Sequence, residues 1–167
     1  MPMTMFRRAA VAALSLGLLS GSAFAAPALL KSSNASEPLA VEKRFKADAT
    51  LKRKRLVEVD MATASAVASG LATEVTLQLF DGVSITLKRK SAETSLGGAV
   101  VWSAEGSGNA TGILVVRGGR VTGAIEAGGK SYLIEPTGAG NLHRVREIDQ
   151  DAFPNDVHLD ISRAPKT

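Results

Sequence analysis

The chain has 167 residues, no cysteine, and 20 lysine and arginine residues against 16 aspartate and glutamate residues, so its formal net charge is +4. The lack of cysteine excludes a disulfide framework and a thiolate switch, so stability must come from buried apolar area. Its two histidines, His143 and His158, cannot build the three-ligand site of a zinc hydrolase, and the sequence contains no HExxH motif.

Residues 1–25 have the features of a secretory signal peptide. Arg7 and Arg8 precede an apolar run over residues 9–19, and a small-x-small cleavage pattern ends at Ala25. The run is shorter than the roughly 20 residues of a membrane-spanning helix, so we expect an exported protein, periplasmic or secreted, without membrane insertion in the mature form. Cleavage removes two arginines and no acid, which lowers the net charge to +2. That balance does not indicate nucleic acid binding.

Residues 26–54 are predicted to form a flexible basic leader. Residues 26–40 are rich in Ala, Ser and Pro with little apolar periodicity, which is typical of disordered or extended chain. Basic residues then outnumber acidic ones; they are Lys43, Arg44, Lys46, Lys52, Arg53, Lys54 and Arg55, against Glu42 and Asp48. This run is either a solvated leader or a docking patch for an acidic partner or an anionic surface. The folded domain is expected to span residues 55–152.

A first β-hairpin is predicted around Asp81-Gly82, where two segments of alternating apolar and polar residues meet. Only a three-residue loop, residues 80–82, sets apolar side chains opposite one another. The pairs in that register are Leu79 with Val83, Leu77 with Ile85, Val75 with Leu87 and Glu74 with Lys88. Gly82 then takes the left-handed position of a G1 bulge.

Gly-Gly pairs at 118–119 and 128–129 predict two more hairpins that share a middle strand. The expected pairs are Val116 with Val121, Leu114 with Gly123, Gly123 with Ile134 and Ile125 with Tyr132. The opposite face carries Ile113, Val115, Ala124 and Leu133, so we expect the middle of this sheet to be covered on both sides. Further strands are predicted at 55–60, 99–104 and 142–146, with one or two helical turns within 61–73. The predicted fold class is all-β, an antiparallel meander of about eight strands forming a sandwich or partly closed barrel.

Four segments of this domain resemble, in order and spacing, the propeptide of bacterial secreted reprolysin-like and peptidyl-Asp-type zinc metalloendopeptidases. They are LQLFDGVSITLKR at 77–89, VWS at 101–103, GILVVRGGRVTGAIEAGGKSYLIEPTG at 112–138 and LHRVREIDQDAFP at 142–154. The resemblance implies a module that helps its protease fold and keeps the zymogen latent until it is cleaved. No catalytic domain follows in this sequence, so we expect either a truncated precursor or a module that acts in trans as a protease inhibitor or chaperone.

The C-terminal tail, residues 153–167, contains the candidate protease-contacting residues Asp156, His158 and Asp160. An imidazole or a carboxylate is a competent zinc ligand, so His158 and its flanking acids could reach the zinc of a partner protease. The alternative is a solvated tail without a role in binding.

Other candidate residues have structural interpretations that we favour. Trp102 and Tyr132 are expected in the core rather than in a protein-binding hot spot, and His143 is expected on the surface. Three acids after the last strand, Glu147, Asp149 and Asp151, are expected to be a hydrophilic exit rather than a carboxylate cluster for a cation.

The sequence therefore predicts a non-catalytic, propeptide-like partner of a secreted zinc metalloprotease. We expect no catalytic residue, no cofactor and no intrinsic metal, because no nucleophile–base pair, metal-ligand spacing or acid pair is present. The alternative is an exported β-sandwich of binding or structural type with an unknown ligand.

Overall fold

The structure, a computed structural model, describes residues 25–36 and 48–153. Its strands are β1 Leu30–Ser32, β2 Leu51–Val59, β3 Glu74–Phe80, β4 Val83–Thr94, β5 Val100–Gly106, β6 Thr111–Arg117, β7 Arg120–Ala127, β8 Lys130–Pro136 and β9 Leu142–Ile148. Within these two ranges, one α-helix, α1, spans Met61–Ala68, and two short 3₁₀ turns span Ser107–Asn109 and Gln150–Ala152. The predicted signal peptide, apart from Ala25, lies outside the described residues.

The nine strands form one sheet that curls into a nearly closed barrel. The strand order is β1-β2-β9-β8-β7-β6-β5-β4-β3, and all neighbouring pairs are antiparallel. The two edges meet at Thr76 of β3, whose backbone N–H donates to Pro27 and whose carbonyl accepts from the N–H of Leu29, both at 2.9 Å. The predicted all-β antiparallel meander and partly closed barrel are confirmed.

The first hairpin has the predicted register up to its turn. Glu74 pairs with Lys88 and Leu77 with Ile85, and Gly82 has a φ of +74°. The last pair is Phe80 with Val83, not Leu79 with Val83, because a bulge lies between Gln78 and Phe80. A regular strand would point Leu79 and Phe80 to opposite faces, whereas the bulge allows both side chains to be buried.

The second and third hairpins have the predicted pairs, and their inner face fills the barrel. Val116 pairs with Val121, and Gly123 lies between Leu114 and Ile134. A Cβ atom on Gly123 would come within 2.8 Å of Leu114 Cδ2, so the packing requires glycine there. Fully buried interior residues include Trp102, Leu77, Leu79, Leu87, Leu114, Ile125 and Ile134, and Tyr132 is also buried. The prediction of Trp102 and Tyr132 as core residues is confirmed.

The helix α1 confirms the predicted helical turns. Asp60 is its N-cap: Asp60 Oδ1 accepts a hydrogen bond from the Thr63 N–H at 2.9 Å. The Asp60 carboxylate also pairs with the ammonium of Lys31 on β1. Ala64 and Val67 of α1 are buried in the same core as the strands.

The predicted domain start at Arg55 was too late. Strand β2 begins at Leu51, and β1 lies inside the predicted leader and pairs with residues 57–59 of β2. Leu29 and Leu30 are fully buried. An isolated Leu-Leu pair has no periodicity to reveal a strand, and its burial depends on contacts with distant parts of the chain.

Candidate functional site

An apolar surface lies on the outside of the barrel across β5 to β8. We call it the outer apolar face; it consists of Val101, Ile113, Val115, Ala124 and Leu133. Val101 pairs with Val115, and Ala124 pairs with both Ile113 and Leu133, so the five side chains are contiguous.

The outer apolar face is open to solvent. Ile113 is 50% exposed, Ala124 is exposed, and the other three residues are half-buried. The expectation that this part of the sheet is covered on both sides is therefore wrong for the described residues. In a barrel made of a single sheet, the inner side chains pack against one another. No second layer packs against the outer face.

The two ends of the outer apolar face carry opposite charges. Arg117 and Arg120 pair beside the β6–β7 turn at one end, and Glu126 pairs with Thr111 at the other end, next to Glu105. Contiguous apolar area with a charged rim is typical of surfaces that bind another protein.

A groove lies where β1 separates from β2, and we call it the seam groove. It has a volume of about 450 Å³ and is lined by Ser32, Ser33, Ala35, Lys54, Arg55, Leu56, Asp81 and Arg144. Three of these residues, Lys54, Arg55 and Arg144, are cationic, and Asp81 is a carboxylate. Two residues of the predicted basic stretch therefore line this groove. Lys54 was predicted to end the leader, and Arg55 was predicted to begin the folded domain.

Arg55 is the central side chain of the seam groove. One terminal guanidinium nitrogen lies 3.2 Å from Asp81 Oδ1, and the other donates to the Gln78 carbonyl at 3.1 Å. The Nε atom of Arg55 is buried and has no hydrogen-bond partner among the described residues. The Arg55 side chain is 17% exposed, whereas the Asp81 side chain is fully exposed. Arg55 is therefore held in place while its carboxylate partner is in solvent.

A buried carboxylate lies on the neighbouring strand. Glu147 Oε2 is 2.6 Å from Arg53 Nε, and Glu147 Oε1 is 3.6 Å from Lys130 Nζ. The Arg53 guanidinium lies 4.1 Å from the ring centroid of Phe80. Burial, and after it the negative charge of Glu147, raises the pKa of Tyr132. This network cross-links β2, β8 and β9.

Glu147 was predicted to lie in a hydrophilic segment after the last strand, and this prediction is wrong. Glu147 is a buried residue of β9 itself. Asp149 instead caps the last 3₁₀ turn by accepting a hydrogen bond from the Asp151 N–H at 3.2 Å. Within residues 25–36 and 48–153, no three His, Cys, Asp or Glu side chains come together as metal ligands would. The burial of Glu147 could have been predicted from the period-two pattern of β9. That pattern places Glu147 on the same face of the sheet as Val145.

His143 is fully buried, so its predicted surface position is wrong. Its Nε2 accepts a hydrogen bond from the Val121 N–H, and its Nδ1 lies 2.8 Å from the Asn141 carbonyl oxygen. Two backbone groups thus satisfy both ring nitrogens of a neutral imidazole, which is a structural role.

The tail residues Asp156, His158 and Asp160 lie outside the described residues. In the part of the chain that the structure describes, no helix is long and apolar enough to cross a membrane. No protein-family model matches the chain, and comparisons with curated proteins and with solved structures found no significant similarity.

Proposed function

We propose that this barrel is a non-catalytic binding module that acts on a secreted zinc metalloprotease as propeptides do, by covering part of the protease surface. The observation that carries the proposal is the outer apolar face, with Ile113 half-exposed at its centre. Burial of such a face against a partner removes apolar area from water, which is the main driving force of protein association.

The packing of the barrel supports binding on the outside. Large side chains such as Leu87 and Leu114 occupy the interior, and Gly112 and Gly123 make room for them: added Cβ atoms would come within 2.6 Å of Leu87 and 2.8 Å of Leu114. A barrel filled in this way is a rigid platform that presents its outer strands without rearrangement. Rigid presentation lowers the entropic cost of association.

The class of partner comes from the resemblance of residues 77–154 to the propeptides of reprolysin-like proteases. An exported chain, with the predicted signal peptide at 1–25, would meet such a protease in the periplasm or outside the cell. The module would either assist the folding of the protease or inhibit it until the complex is cleaved.

An inhibition assay tests the proposal. The chain without the predicted signal peptide is titrated into a purified reprolysin-like protease of the same organism, and cleavage of a peptide substrate is followed. We expect inhibition, and we expect Ile113→Glu to weaken it by at least about tenfold, because a charge placed in an apolar interface must be desolvated.

Leu71→Glu is the matched control, since Leu71 is exposed and precedes β3, which β4 separates from the strands of the outer apolar face. This variant should inhibit as well as the unaltered chain. Calorimetry that detects no binding at about 50 μM, a concentration well above that of specific protein complexes, would exclude the proposal.

A second candidate function is that of an exported binding protein for an anionic ligand. The seam groove favours this candidate, because Arg55 binds a carboxylate there, that of the exposed Asp81. It needs no protease partner, and a titration with an anionic ligand tests it separately.

A further inference from the structure

We propose that the outer apolar face also binds a second copy of this chain, so that two barrels form a weak dimer with two-fold symmetry. The contact itself needs no protease, whereas its consequence for inhibition rests on the function proposed above. The observation behind it is the charge at the two ends of the face. Opposite charges placed symmetrically about an apolar centre make a surface complementary to itself.

Strand β7 carries the two charges on which the contact depends. Arg120 and Glu126 lie three residues on either side of Gly123, which is about 10 Å in each direction along the strand. Both side chains are exposed, on the same outer side as Ala124. The Glu126 carboxylate accepts a hydrogen bond from the Ser131 hydroxyl at 2.9 Å, and Arg120 makes no ion pair with any described residue. Within the part of the chain that the structure describes, no opposite charge therefore neutralises either group.

The arginine end of the face is unfavourable in an isolated barrel. Arg117 of β6 lies directly opposite Arg120 of β7, and both side chains are exposed. Like charges at opposed positions of neighbouring strands repel each other and destabilise the sheet. A carboxylate that a partner brings to this end relieves the repulsion, and Glu126 of a second copy supplies one.

The charges select the direction of the two-fold axis. Two identical faces meet when the axis lies in the plane between them. An axis at right angles to the strands, above the Leu114–Gly123 pair, sets Arg120 of each copy over Glu126 of the other. An axis along the strands instead sets the two arginine ends over each other, and their repulsion opposes association.

The same axis matches the apolar centre of the face. Ile113 and Val115 lie one residue on either side of Leu114, so Ile113 of each copy lies over Val115 of the other. In a single barrel Ile113 is 50% exposed and Val115 is half-buried, and the contact removes more of both from water. Apolar side chains therefore meet at the centre, and the two arginine–glutamate pairs flank them.

The size of the face indicates a weak and reversible dimer. Four strands about 4.8 Å apart and six residue steps of about 3.3 Å give a patch of about 20 Å by 20 Å, or about 400 Å². Stable complexes bury about 800 Å² on each partner, so we expect a dissociation constant of about 10–200 μM. The second copy then covers the face only at high local concentration, and a protease that binds more tightly displaces it.

Sedimentation equilibrium of the chain without the predicted signal peptide tests the dimer in the absence of protease. We expect the average mass to rise from that of a monomer towards that of a dimer between about 5 μM and about 500 μM. Higher salt should weaken the association, because it screens exposed charge pairs. A chain that stays monomeric throughout would overturn the proposal. So would a chain that dimerises only when residues 155–167 are removed, because the tail would then be what covers the face.

Charge reversals at the two ends test the direction of the axis. Arg120→Glu and Glu126→Arg should each weaken association by at least about fivefold, because like charges then face each other in both pairs. An equimolar mixture of these two variants should associate again, since every pair in the mixed dimer joins opposite charges. A mixture that associates no better than either variant alone would contradict this geometry. Stronger association of Arg120→Glu would indicate the axis along the strands and would also contradict it.

A matched pair of variants tests the apolar centre. Ile113→Glu should weaken association by at least about tenfold, because two charges must be desolvated in the contact. Leu71→Glu adds the same charge at an exposed position outside the face and should leave association unchanged. Equal losses in the two variants would show a general effect of added charge and overturn the assignment to the outer apolar face.

Addition of the protease at equal concentration tests the shared use of the face. We expect the mass of one chain bound to one protease, because the face cannot hold the protease and a second copy together. A complex that contains two copies of the chain would overturn this shared use. The dimer is measured without protease, so a failure of protease inhibition leaves the dimer standing, and a failure of the dimer leaves the inhibition assay standing.

Discussion

The Nε2 atom of His143 on β9 accepts a hydrogen bond from the backbone N–H of Val121 on β7, at 3.0 Å across the barrel interior. The pairing of β7 with β8 begins at Gly123, two residues after Val121. The imidazole therefore supplies an acceptor to the Val121 N–H, which lies outside this strand pairing. Burial lowers the pKa of His143, and the hydrogen bond to the Asn141 carbonyl opposes this change. The imidazole is therefore neutral in the folded barrel at neutral pH.

We predict that the barrel loses stability in mild acid because of His143. In the unfolded chain His143 takes up a proton near its ordinary pKa of 6.5, whereas in the folded chain it does so only at lower pH. The unfolded state then binds more protons, so the free energy of unfolding decreases as the pH falls below about 6.5. Urea titrations at about pH 8 and about pH 5.5 measure the difference.

His143→Leu should remove this part of the pH dependence and cost about 1–3 kcal/mol at pH 8, because the Val121 N–H loses its acceptor. His158→Asn is the control and should keep the pH dependence. The same slope in His143→Leu and in the unaltered chain would refute the assignment.

Gly82→Val should lower the free energy of unfolding by at least about 1 kcal/mol. No atom would lie within 4 Å of an added Cβ, so the cost comes from the φ of +74°, which β-branched residues adopt with strain. Ser84→Val, at an exposed position of β4, should be nearly neutral. Equal urea midpoints for the two variants would be inconsistent with the observed turn.

Asp60→Ala should destabilise the barrel by about 0.5–2 kcal/mol, because α1 loses its N-cap. Asp60→Asn should cost less, since asparagine also caps helices, although it loses the charge that pairs with Lys31. That pairing first, and the hydrogen bonds to Thr63 next, lower the pKa of Asp60 to about 2. The stabilisation is therefore complete above about pH 4 and is lost as the pH falls through 2. An Asp60→Ala variant with unchanged acid sensitivity would contradict this account.

Removal of residues 155–167 should weaken protease inhibition by about tenfold or more, which corresponds to about 1.4 kcal/mol of binding free energy. The tail contains Asp156, His158 and Asp160, and it lies where the propeptides of the resembling family continue into the catalytic domain. The urea midpoint should not change, because the last strand of the barrel ends at Ile148. Full inhibition by the shortened chain would exclude a role for the tail.

The alternation of residues along the chain was sufficient to predict the all-β meander. The pairs Leu77 with Ile85 and Val116 with Val121 followed from matching apolar faces across short turns, because these contacts join segments close in sequence. Burial of Trp102 and Tyr132 was predicted because a β-domain with so few aromatic residues needs both in its core.

Contacts between distant segments decided the features that sequence reasoning missed. Arg53 and Glu147 are 94 residues apart, and Arg55 and Asp81 are 26 apart, so no local pattern relates the basic stretch to its acidic partners. The burial of Leu29 and Leu30 likewise depends on the closure of β1 between β2 and β3. Periodicity could not determine whether the outer apolar face is covered. A sandwich and a barrel have the same alternation of apolar and polar residues and differ only in how the sheet closes.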